Sequence, residues 1–318
     1  MVSIQEIRQA RERIAPYILH TPLLRAPALD EDLGCQVYLK LECTQITGSF
    51  KARGAFNAVL ALSEQDRRRG VIASSSGNHA QGLALAAKTV GVRATIVMPN
   101  DAPPVKIQHV KEYGAEVVLV DVIEREKKAK ELSERFGSTI IHAFDNPDIQ
   151  AGQGTAGLEI MEDLPDTDVV ITPVGGGGLF SGVATAAKET RPQIRAWGVE
   201  SVAVPRYTNA FRTNQLKDLE HLDDTICDGI RGTHVCQASY DSMKRYAEGI
   251  VQETDEDTRE AVGLLMTKAH VLAEPCSCLT IAAVRSGKIP VGRNDKVVFV
   301  LSGGNFRPEL MAEILKGC

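Results

Sequence analysis

The sequence is poor in aromatic residues, in net positive charge and in long apolar runs. Phe, Trp and Tyr make up 5% of its 318 residues, and the formal net charge is −5. An acidic balance gives no electrostatic footprint for nucleic acid, so the basic triplet at 67–69 is interpreted as a solvated helix end. No stretch approaches the roughly 20 apolar residues that a membrane span needs, and residues 1–6 lack the basic and apolar regions of a signal peptide. We therefore expect a cytoplasmic protein that binds neither nucleic acid nor membranes.

Cysteine is also sparse, and its spacing does not suit zinc. The seven cysteines are an odd number in a chain without an export signal, so reduced thiols are expected. Cys276 and Cys278 have C-x-C spacing, and no second pair or nearby histidine completes a tetrahedral set. We interpret these two cysteines as small packing residues.

What the chain does have is a regular alternation of apolar strands and amphipathic helices. Hydrophobic residues make up 43% of it, which is enough for a sizeable core. An N-terminal helical period at 4–14, a strand at 37–41 and a helix at 52–62 precede the alternation. Strands are then predicted at 70–74, 94–98, 116–120, 139–142, 169–174, 196–200 and 297–301. Helices are predicted at 77–90, 104–113, 125–136, 179–190, 235–248 and 255–269. This order predicts an α/β fold with open, mainly parallel twisted sheets flanked by helices.

One lysine stands in a defined setting. Lys51 follows Gly48-Ser49-Phe50 and opens an Ala-rich segment that is predicted to be helical. A lysine amine is nucleophilic once neutral, and partial burial lowers its pKa, so lysine is the usual residue that tethers an aldehyde cofactor. Lys51 is therefore a candidate Schiff-base former.

Four consecutive glycines, Gly175 to Gly178, lie between a predicted strand and a predicted helix. Their bare N–H groups can surround a phosphate. The spacing matches neither the dinucleotide nor the nucleoside-triphosphate fingerprint. Together with Lys51, this glycine turn indicates pyridoxal 5′-phosphate as the cofactor.

Six motifs occur in an order that resembles the fold type II (β-family, tryptophan-synthase-β-like) pyridoxal-phosphate enzymes, and within them the threonine/serine dehydratase and serine racemase group. The motifs are Ser49-Phe50-Lys51-Ala52-Arg53-Gly54, Ser75-Ser76-Gly77-Asn78-His79, Ala151-Gly152-Gln153-Gly154-Thr155, Gly175-Gly176-Gly177-Gly178, Glu274-Pro275 and Ser302-Gly303-Gly304-Asn305. The likeness covers nearly the whole chain. It implies two sheets, with a large cofactor-binding domain of residues 1–69 and 148–318 and an inserted small domain of residues 70–147 that carries the substrate-carboxylate loop.

The resemblance also implies roles for the cofactor-binding residues. Lys51 would bind the cofactor covalently and then act as the base for the α-proton of the substrate. The remaining cofactor-binding residues would be Phe50 on the pyridine ring, Asn78 on the 3-oxygen, Gly175, Gly176, Gly177 and Gly178 on the phosphate, Gly229 and Glu274 beside the ring, and Ser302 at the pyridine nitrogen. A serine hydroxyl, unlike an aspartate, does not stabilise a protonated pyridine, which favours β-elimination or racemisation over transamination.

The substrate is expected to lie at the loop between the strand at 70–74 and the following helix. Backbone N–H groups and hydroxyls at a helix N-terminus suit a carboxylate. By resemblance, the substrate-binding residues are Ser75, Ser76, Gly77, Asn78, His79 and Gln153. Ser76 is also a candidate catalytic residue, because serine racemases carry Ser where many threonine dehydratases carry Ala. Its hydroxyl would face the substrate from the side opposite Lys51 and could exchange a proton there.

The sequence departs from the racemases at two positions. Their divalent-cation site uses an E-x-x-x-x-x-D pattern, which Glu200 and Val204 match, but Arg206 replaces the expected aspartate. A guanidinium cannot be a metal ligand and could instead satisfy Glu200, so no metal site is expected. Gly232 stands where racemases offer a serine hydroxyl. The chain ends soon after Asn305, so a regulatory domain and feedback inhibition by isoleucine are not expected.

These features favour an ammonia-lyase that dehydrates L-threonine or L-serine, through an aminoacrylate, to a 2-oxo acid and ammonia. Two alternatives stay open: a serine racemase that uses Lys51 and Ser76 as its two bases, and a threo-3-hydroxyaspartate ammonia-lyase. An intact Lys51 argues against a cofactor-binding protein without catalysis. The resemblance further implies a homodimer or homotetramer, and the sequence does not specify the preferred hydroxy amino acid.

Overall fold

The computed structural model describes residues 1–102 and 104–317. In chain order the strands are β1 Leu23–Arg25, β2 Gln36–Lys40, β3 Val71–Ser74, β4 Ala94–Pro99, β5 Glu116–Val120, β6 Thr139–Ile140, β7 Val169–Pro173, β8 Arg195–Ser201, β9 Gly249–Glu253 and β10 Lys296–Val300. The α-helices are α1 Ile4–Ile14, α2 Asp30–Leu33, α3 Lys51–Ala61, α4 Glu64–Arg69, α5 Asn78–Thr89, α6 Pro104–Glu112, α7 Arg125–Phe136, α8 Pro147–Asp163, α9 Gly178–Thr190, α10 Arg206–Thr213, α11 Gln237–Tyr246, α12 Asp255–Leu264, α13 Pro275–Arg285 and α14 Pro308–Lys316.

The larger sheet has six strands in the order β1-β2-β10-β7-β8-β9. Only the edge pair β1 and β2 is antiparallel, and every other pairing in this sheet is parallel. The central strand β10 carries Val297, Val298, Phe299 and Val300, all fully buried. Strands covered on both faces are expected to be continuously apolar, as β10 is.

The smaller sheet has four parallel strands in the order β5-β4-β3-β6, all of them between residues 71 and 140. The prediction of two mainly parallel sheets flanked by helices is confirmed. The core of the smaller sheet also includes Ala55, Phe56 and Val59 of α3. Packing therefore crosses the predicted boundary at 69/70, and the domain limits stay a prediction.

Small residues bring α3, α8 and α9 into close contact. A Cβ atom on Gly152 of α8 would lie 2.6 Å from the Cα atom of Gly54 in α3. A Cβ atom on Gly182 of α9 would lie 2.5 Å from the backbone nitrogen of Gly154. These glycines allow the three helix backbones to approach closely, and this packing fixes the helix that begins at Lys51.

Most elements that the sequence predicts occur in the structure, with three informative differences. The strand predicted at 139–142 ends at Ile140, and the helix predicted at 255–269 becomes a π-helical turn after Leu264. Helix α8 was not predicted because its three internal glycines lower helix propensity. Tertiary packing outweighs that cost, and the Asn146 cap with Pro147 at the first turn starts the helix.

No helix within residues 1–102 or 104–317 is both long and apolar enough to cross a bilayer.

A buried ion network holds α3 against α8. The Arg53 guanidinium donates to both carboxylate oxygens of Glu42 at 2.7 and 2.8 Å, and to both of Glu159 at 2.7 Å. Lys40 adds a second cation, with its Nζ atom 2.7 Å from Glu159. Each of these charged groups is at least 99% buried, so the pairing and the hydrogen bonds must offset a large desolvation cost.

Candidate active site

Lys51 is the first residue of α3, and the loop before it is joined to the loop after β10. Ser49 forms an isolated antiparallel bridge with Gly303, and the Phe50 N–H donates to the Ser302 carbonyl at 3.0 Å. The Nζ atom of Lys51 donates to the carbonyl oxygen of Ala143 at 2.8 Å. Since this carbonyl follows β6, the Lys51 amine lies between the two sheets.

Burial controls the protonation of Lys51. Desolvation, assisted by the positive charge of Arg206, lowers its pKa to about 8, although Glu274 opposes this shift. A sizeable neutral fraction is therefore present slightly above neutral pH. That neutral amine is the nucleophilic form that an aldehyde requires.

The glycine turn at 175–178 has the geometry of an anion site. Gly177 has φ +86°, and no side chain caps helix α9, which begins at Gly178. Among the described residues, none of the N–H groups of Gly175 to Gly178 has a hydrogen-bond acceptor. A Cβ atom on Gly176 would lie 2.0 Å from the ring of Phe144, so only glycine fits there. Unpaired N–H groups at a helix N-terminus are the donor set that a phosphate needs.

Asn78 is held by two polar neighbours. Its Nδ2 atom donates to Glu274 Oε2 at 3.1 Å, and its Oδ1 atom accepts from Asn305 Nδ2 at 2.8 Å. Burial raises the pKa of Glu274 to about 7, against the hydrogen bond from Asn78, which lowers it. Because the Asn78 amide has a second N–H, it can still donate to a ligand oxygen.

Ser302 lies two residues after the end of β10 and is 3% exposed. Its hydroxyl oxygen lies 3.1 Å from that of Ser277 in α13. Ser277 also donates to the Gly303 carbonyl and accepts from the Gly303 N–H, both at 3.0 Å. The sequence analysis interprets Cys276 and Cys278 as packing residues and does not select Ser277, for which the hydroxyl between two cysteines is the available sequence signal.

All ten predicted cofactor-binding residues line one cavity. They are Phe50, Lys51, Asn78, Gly175, Gly176, Gly177, Gly178, Gly229, Glu274 and Ser302. The same cavity is lined by Cys276, one of the two cysteines interpreted as packing residues, and by four residues that the sequence does not single out, namely Phe144, Pro173, Leu179 and Ile230. The cavity thus combines an anion-binding turn, an amine, a carboxylate, an amide and a hydroxyl with apolar walls, which fits a phosphorylated aromatic aldehyde.

The predicted substrate residues are not all placed alike. Ser75, Ser76 and Gly77 are half-buried and lead directly into Asn78, whose side chain lines the cavity. His79 is 2% exposed, with its Nε2 atom 2.9 Å from the Ile141 carbonyl, and burial lowers its pKa to about 3. It is therefore a neutral core side chain outside the cavity lining.

Gln153 is also fully buried, and it packs between helices. Its Oε1 atom accepts from the Gly54 N–H at 3.2 Å, while its Nε2 atom has no partner among the described residues. Like His79, it does not line the cavity, and its role towards a substrate stays a prediction.

The expectation that Arg206 satisfies Glu200 holds only for its charge, which opposes the rise that burial causes in the pKa of that carboxyl, because no hydrogen bond joins the two side chains among the described residues. Glu200 accepts from the N–H groups of Tyr207 and Thr208, at 2.9 and 2.8 Å, and from the Thr208 hydroxyl at 2.7 Å. The N-terminus of α10 thus compensates the carboxylate. The Arg206 guanidinium instead donates to the carbonyls of Ile230 and His234, at 2.6 and 3.4 Å.

Comparison with known proteins identifies close relatives over almost the whole chain. Residues 14–303 match the family described as "Pyridoxal-phosphate dependent enzyme". The chain is 40% identical to an L-threonine ammonia-lyase of Thermotoga maritima over 317 residues, which cover 99% of this chain and 78% of that protein. It is 39% identical to an L-threo-3-hydroxyaspartate ammonia-lyase of a Pseudomonas species over 319 residues, which cover 99% of each. The crystal structure of serine racemase from Dictyostelium discoideum has a TM-score of 0.89 at 36% identity, and the match covers 96% of this chain and 99% of that one.

Proposed function

Since the chain belongs to the pyridoxal-phosphate dependent enzyme family, we propose that it is an ammonia-lyase that dehydrates L-threonine or L-serine to a 2-oxo acid and ammonia. The observation that carries this proposal is the pairing, in one cavity, of the Lys51 amine with the uncharged Ser302 hydroxyl. When bound, pyridoxal phosphate withdraws electrons from the substrate α-carbon and makes its proton removable. A hydroxyl in place of a carboxylate at the cofactor's pyridine nitrogen favours loss of the β-hydroxyl over transamination.

Each residue then has a limited task. The N–H groups of Gly175 to Gly178 would bind the cofactor phosphate, and Asn78, which Glu274 holds, would donate to the ring oxygen. Ser75, Ser76 and Gly77 orient the substrate carboxylate at the N-terminus of α5. Lys51 takes the α-proton, and its low pKa lets it act as a base near neutral pH. The net reaction removes the α-amino group as ammonia, with no oxidant or reductant.

Two alternative activities have specific support, one a different reaction of serine and the other a different substrate. The half-buried Ser76 hydroxyl and the similarity to the Dictyostelium racemase favour some racemisation of serine. The 39% identity to the Pseudomonas enzyme favours 3-hydroxyaspartate as a third substrate. Both use the same cavity and the same lysine, so they differ in substrate and product and not in the site.

The deciding experiment presents purified holoenzyme with L-threonine, L-serine, D-serine and L-threo-3-hydroxyaspartate, one at a time. Keto acid, ammonia and the enantiomer of the remaining amino acid are measured together, with Lys51→Ala as the inactive control. The proposal predicts the highest kcat/KM for keto acid from L-threonine or L-serine. Faster formation of D-serine than of pyruvate would contradict the proposal in favour of a serine racemase. Turnover of hydroxyaspartate alone would contradict it in favour of a hydroxyaspartate ammonia-lyase.

We also propose that the enzyme works in the cytoplasm as a homodimer or homotetramer. The compartment is supported by the cysteines, since all six in the described part of the chain are free thiols. The assembly rests on the family resemblance. Light scattering of the eluting holoenzyme tests the assembly, and a molar mass near the 34.4 kDa of one chain would contradict it.

A further inference from the structure

The segment 227–236 packs against the glycine turn. Gly229 and Ile230 of this segment line the cavity. The Cα atom of Ile230 lies 3.2 Å from the position that a Cβ atom on Gly175 would take. Any movement of this segment would therefore change the shape of the turn that is expected to bind the cofactor phosphate.

Arg206, the first residue of α10, holds two points of this segment. It is 2% exposed, and its guanidinium donates to the carbonyls of Ile230 and His234. Gly232 makes room for it, because a Cβ atom there would lie 3.0 Å from Arg206 Nη1. Among the described residues no carboxylate lies within 4.0 Å of the guanidinium, and the charge of the buried Glu200 attracts it from a greater distance.

Tyr207, the next residue, joins the end of the segment to the glycine turn itself. Its hydroxyl donates to the Gly176 carbonyl at 2.7 Å and accepts from the Cys236 N–H at 3.3 Å. A Cβ atom on Gly177 would lie 2.8 Å from the same oxygen, so Tyr207 also supports the turn sterically. Two adjacent side chains thus connect one helix N-terminus to Ile230, His234, Cys236 and Gly176.

We propose that Arg206 and Tyr207 are positioning residues that clamp segment 227–236 onto the glycine turn and so hold the turn in the conformation that binds the cofactor phosphate. Neither side chain lines the cavity, so both act through the backbone that they hold. The Arg206 charge adds an electrostatic contribution, because a phosphate in the turn would add a second negative charge to that of Glu200, which already attracts the buried guanidinium. This inference rests on cofactor binding and is independent of the substrate.

The test measures cofactor binding and folding separately. Holoenzymes with Arg206→Gln, Arg206→Lys and Tyr207→Phe are compared with wild type for the dissociation constant of pyridoxal phosphate and for Tm with and without cofactor. Arg212→Gln is the matched control, because Arg212 lies on the same helix, is exposed and, within the described part of the chain, hydrogen-bonds only to Asn209. Added guanidinium ion is tested for rescue of Arg206→Gln.

Arg206→Gln replaces hydrogen bonds from a charged group with weaker neutral ones, so we expect the variant to bind the cofactor about 10–100-fold more weakly than wild type. Tyr207→Phe removes neutral hydrogen bonds, so we expect its cofactor affinity to fall about 2–10-fold. The cofactor affinity of the Arg212→Gln control should equal that of wild type. The gain in Tm on cofactor binding should shrink in both clamp variants. An equal fall in Tm of the loaded and free forms, with unchanged cofactor affinity, would reduce both residues to structural supports and overturn the proposal. If Arg206→Gln does not fold, Tyr207→Phe decides by the same criterion.

Discussion

The hydroxyl oxygens of Ser302 and Ser277 lie 3.1 Å apart at the end of the central strand of the large sheet. Ser277 has one proton, which it donates to the Gly303 carbonyl, while the Gly303 N–H donates back to its oxygen. The orientation of Ser277 is therefore fixed by the loop that carries Ser302. This fixed neighbour in turn restricts the direction in which the Ser302 hydroxyl can donate.

Ser277→Ala should disturb the cofactor ring without unfolding the enzyme. The variant loses the contact with Ser302 and both hydrogen bonds with Gly303. Loss of the neutral hydrogen bond to Ser302 predicts about a 2–10-fold fall in kcat and a change in the absorption spectrum of the bound cofactor. Thr280→Val is the control, because this variant also removes a buried hydrogen bond in α13, the one from the Thr280 hydroxyl to the Ser277 carbonyl. An unchanged spectrum and kcat in Ser277→Ala would show that Ser277 does not orient the Ser302 hydroxyl.

Ser76→Ala should separate dehydration from racemisation. If Lys51 removes the α-proton from one face, elimination from an L-substrate needs no group on the other face, whereas racemisation does. The rates of pyruvate and D-serine formation from L-serine are measured in wild type and variant. Pyruvate formation should be mostly spared and D-serine formation should fall about 10²–10⁴-fold, the usual value of a positioned proton donor. Equal losses of both would assign Ser76 to substrate binding.

Activity should not depend on a divalent metal at Glu200. Its carboxylate already accepts three hydrogen bonds from the start of α10. Within residues 1–102 and 104–317, no group of three or more His, Cys, Asp or Glu side chains is placed to hold a metal ion. Exhaustive chelation should leave kcat and Tm nearly unchanged. A large loss of activity on chelation would contradict this prediction if added Mg²⁺ or Ca²⁺ restores the activity in wild type but not in Glu200→Gln.

The buried ion network predicts a specific loss of stability in acid. Burial favours the neutral carboxyl, but hydrogen bonds from Arg53 and the charges of Arg53 and Lys40 outweigh it and lower the pKa of Glu159 to about 2. Its contribution to folding is therefore complete above about pH 4.5 and is lost as the pH falls towards 2. This difference is worth about 3 kcal/mol.

Glu159→Gln should accordingly lower the free energy of unfolding at pH 7 by about 3–5 kcal/mol and flatten its decline below pH 4.5. Denaturant unfolding at several pH values measures both effects. Glu162→Gln is the control, since Glu162 pairs with Arg11 at the surface and should contribute less than about 1 kcal/mol. A parallel pH profile in Glu159→Gln and wild type would mean that other carboxyls govern the acid transition.

The sequence predicted the fold, and it selected residues that line one cavity where local chemistry is distinctive. A glycine run after an apolar strand and a lysine at a helix start are local patterns, so they can be recognised without knowledge of the long-range contacts. Side chains such as Gln153 and His79 have no such signature, and only packing shows that they face α3 and Ile141 rather than the cavity. The contacts of Arg206 with Ile230 and His234 span 24 and 28 residues, a separation that no local pattern reveals.

The central claim is that Lys51 is the residue that holds the cofactor in the cavity between the two sheets. The most direct measurement is reduction of the purified holoenzyme with borohydride, followed by mass spectrometry of its peptides. The account predicts loss of the yellow colour and a pyridoxyl group on the peptide that contains Lys51, with no modification in Lys51→Ala. A pyridoxyl group on any other lysine of the wild-type enzyme would contradict it.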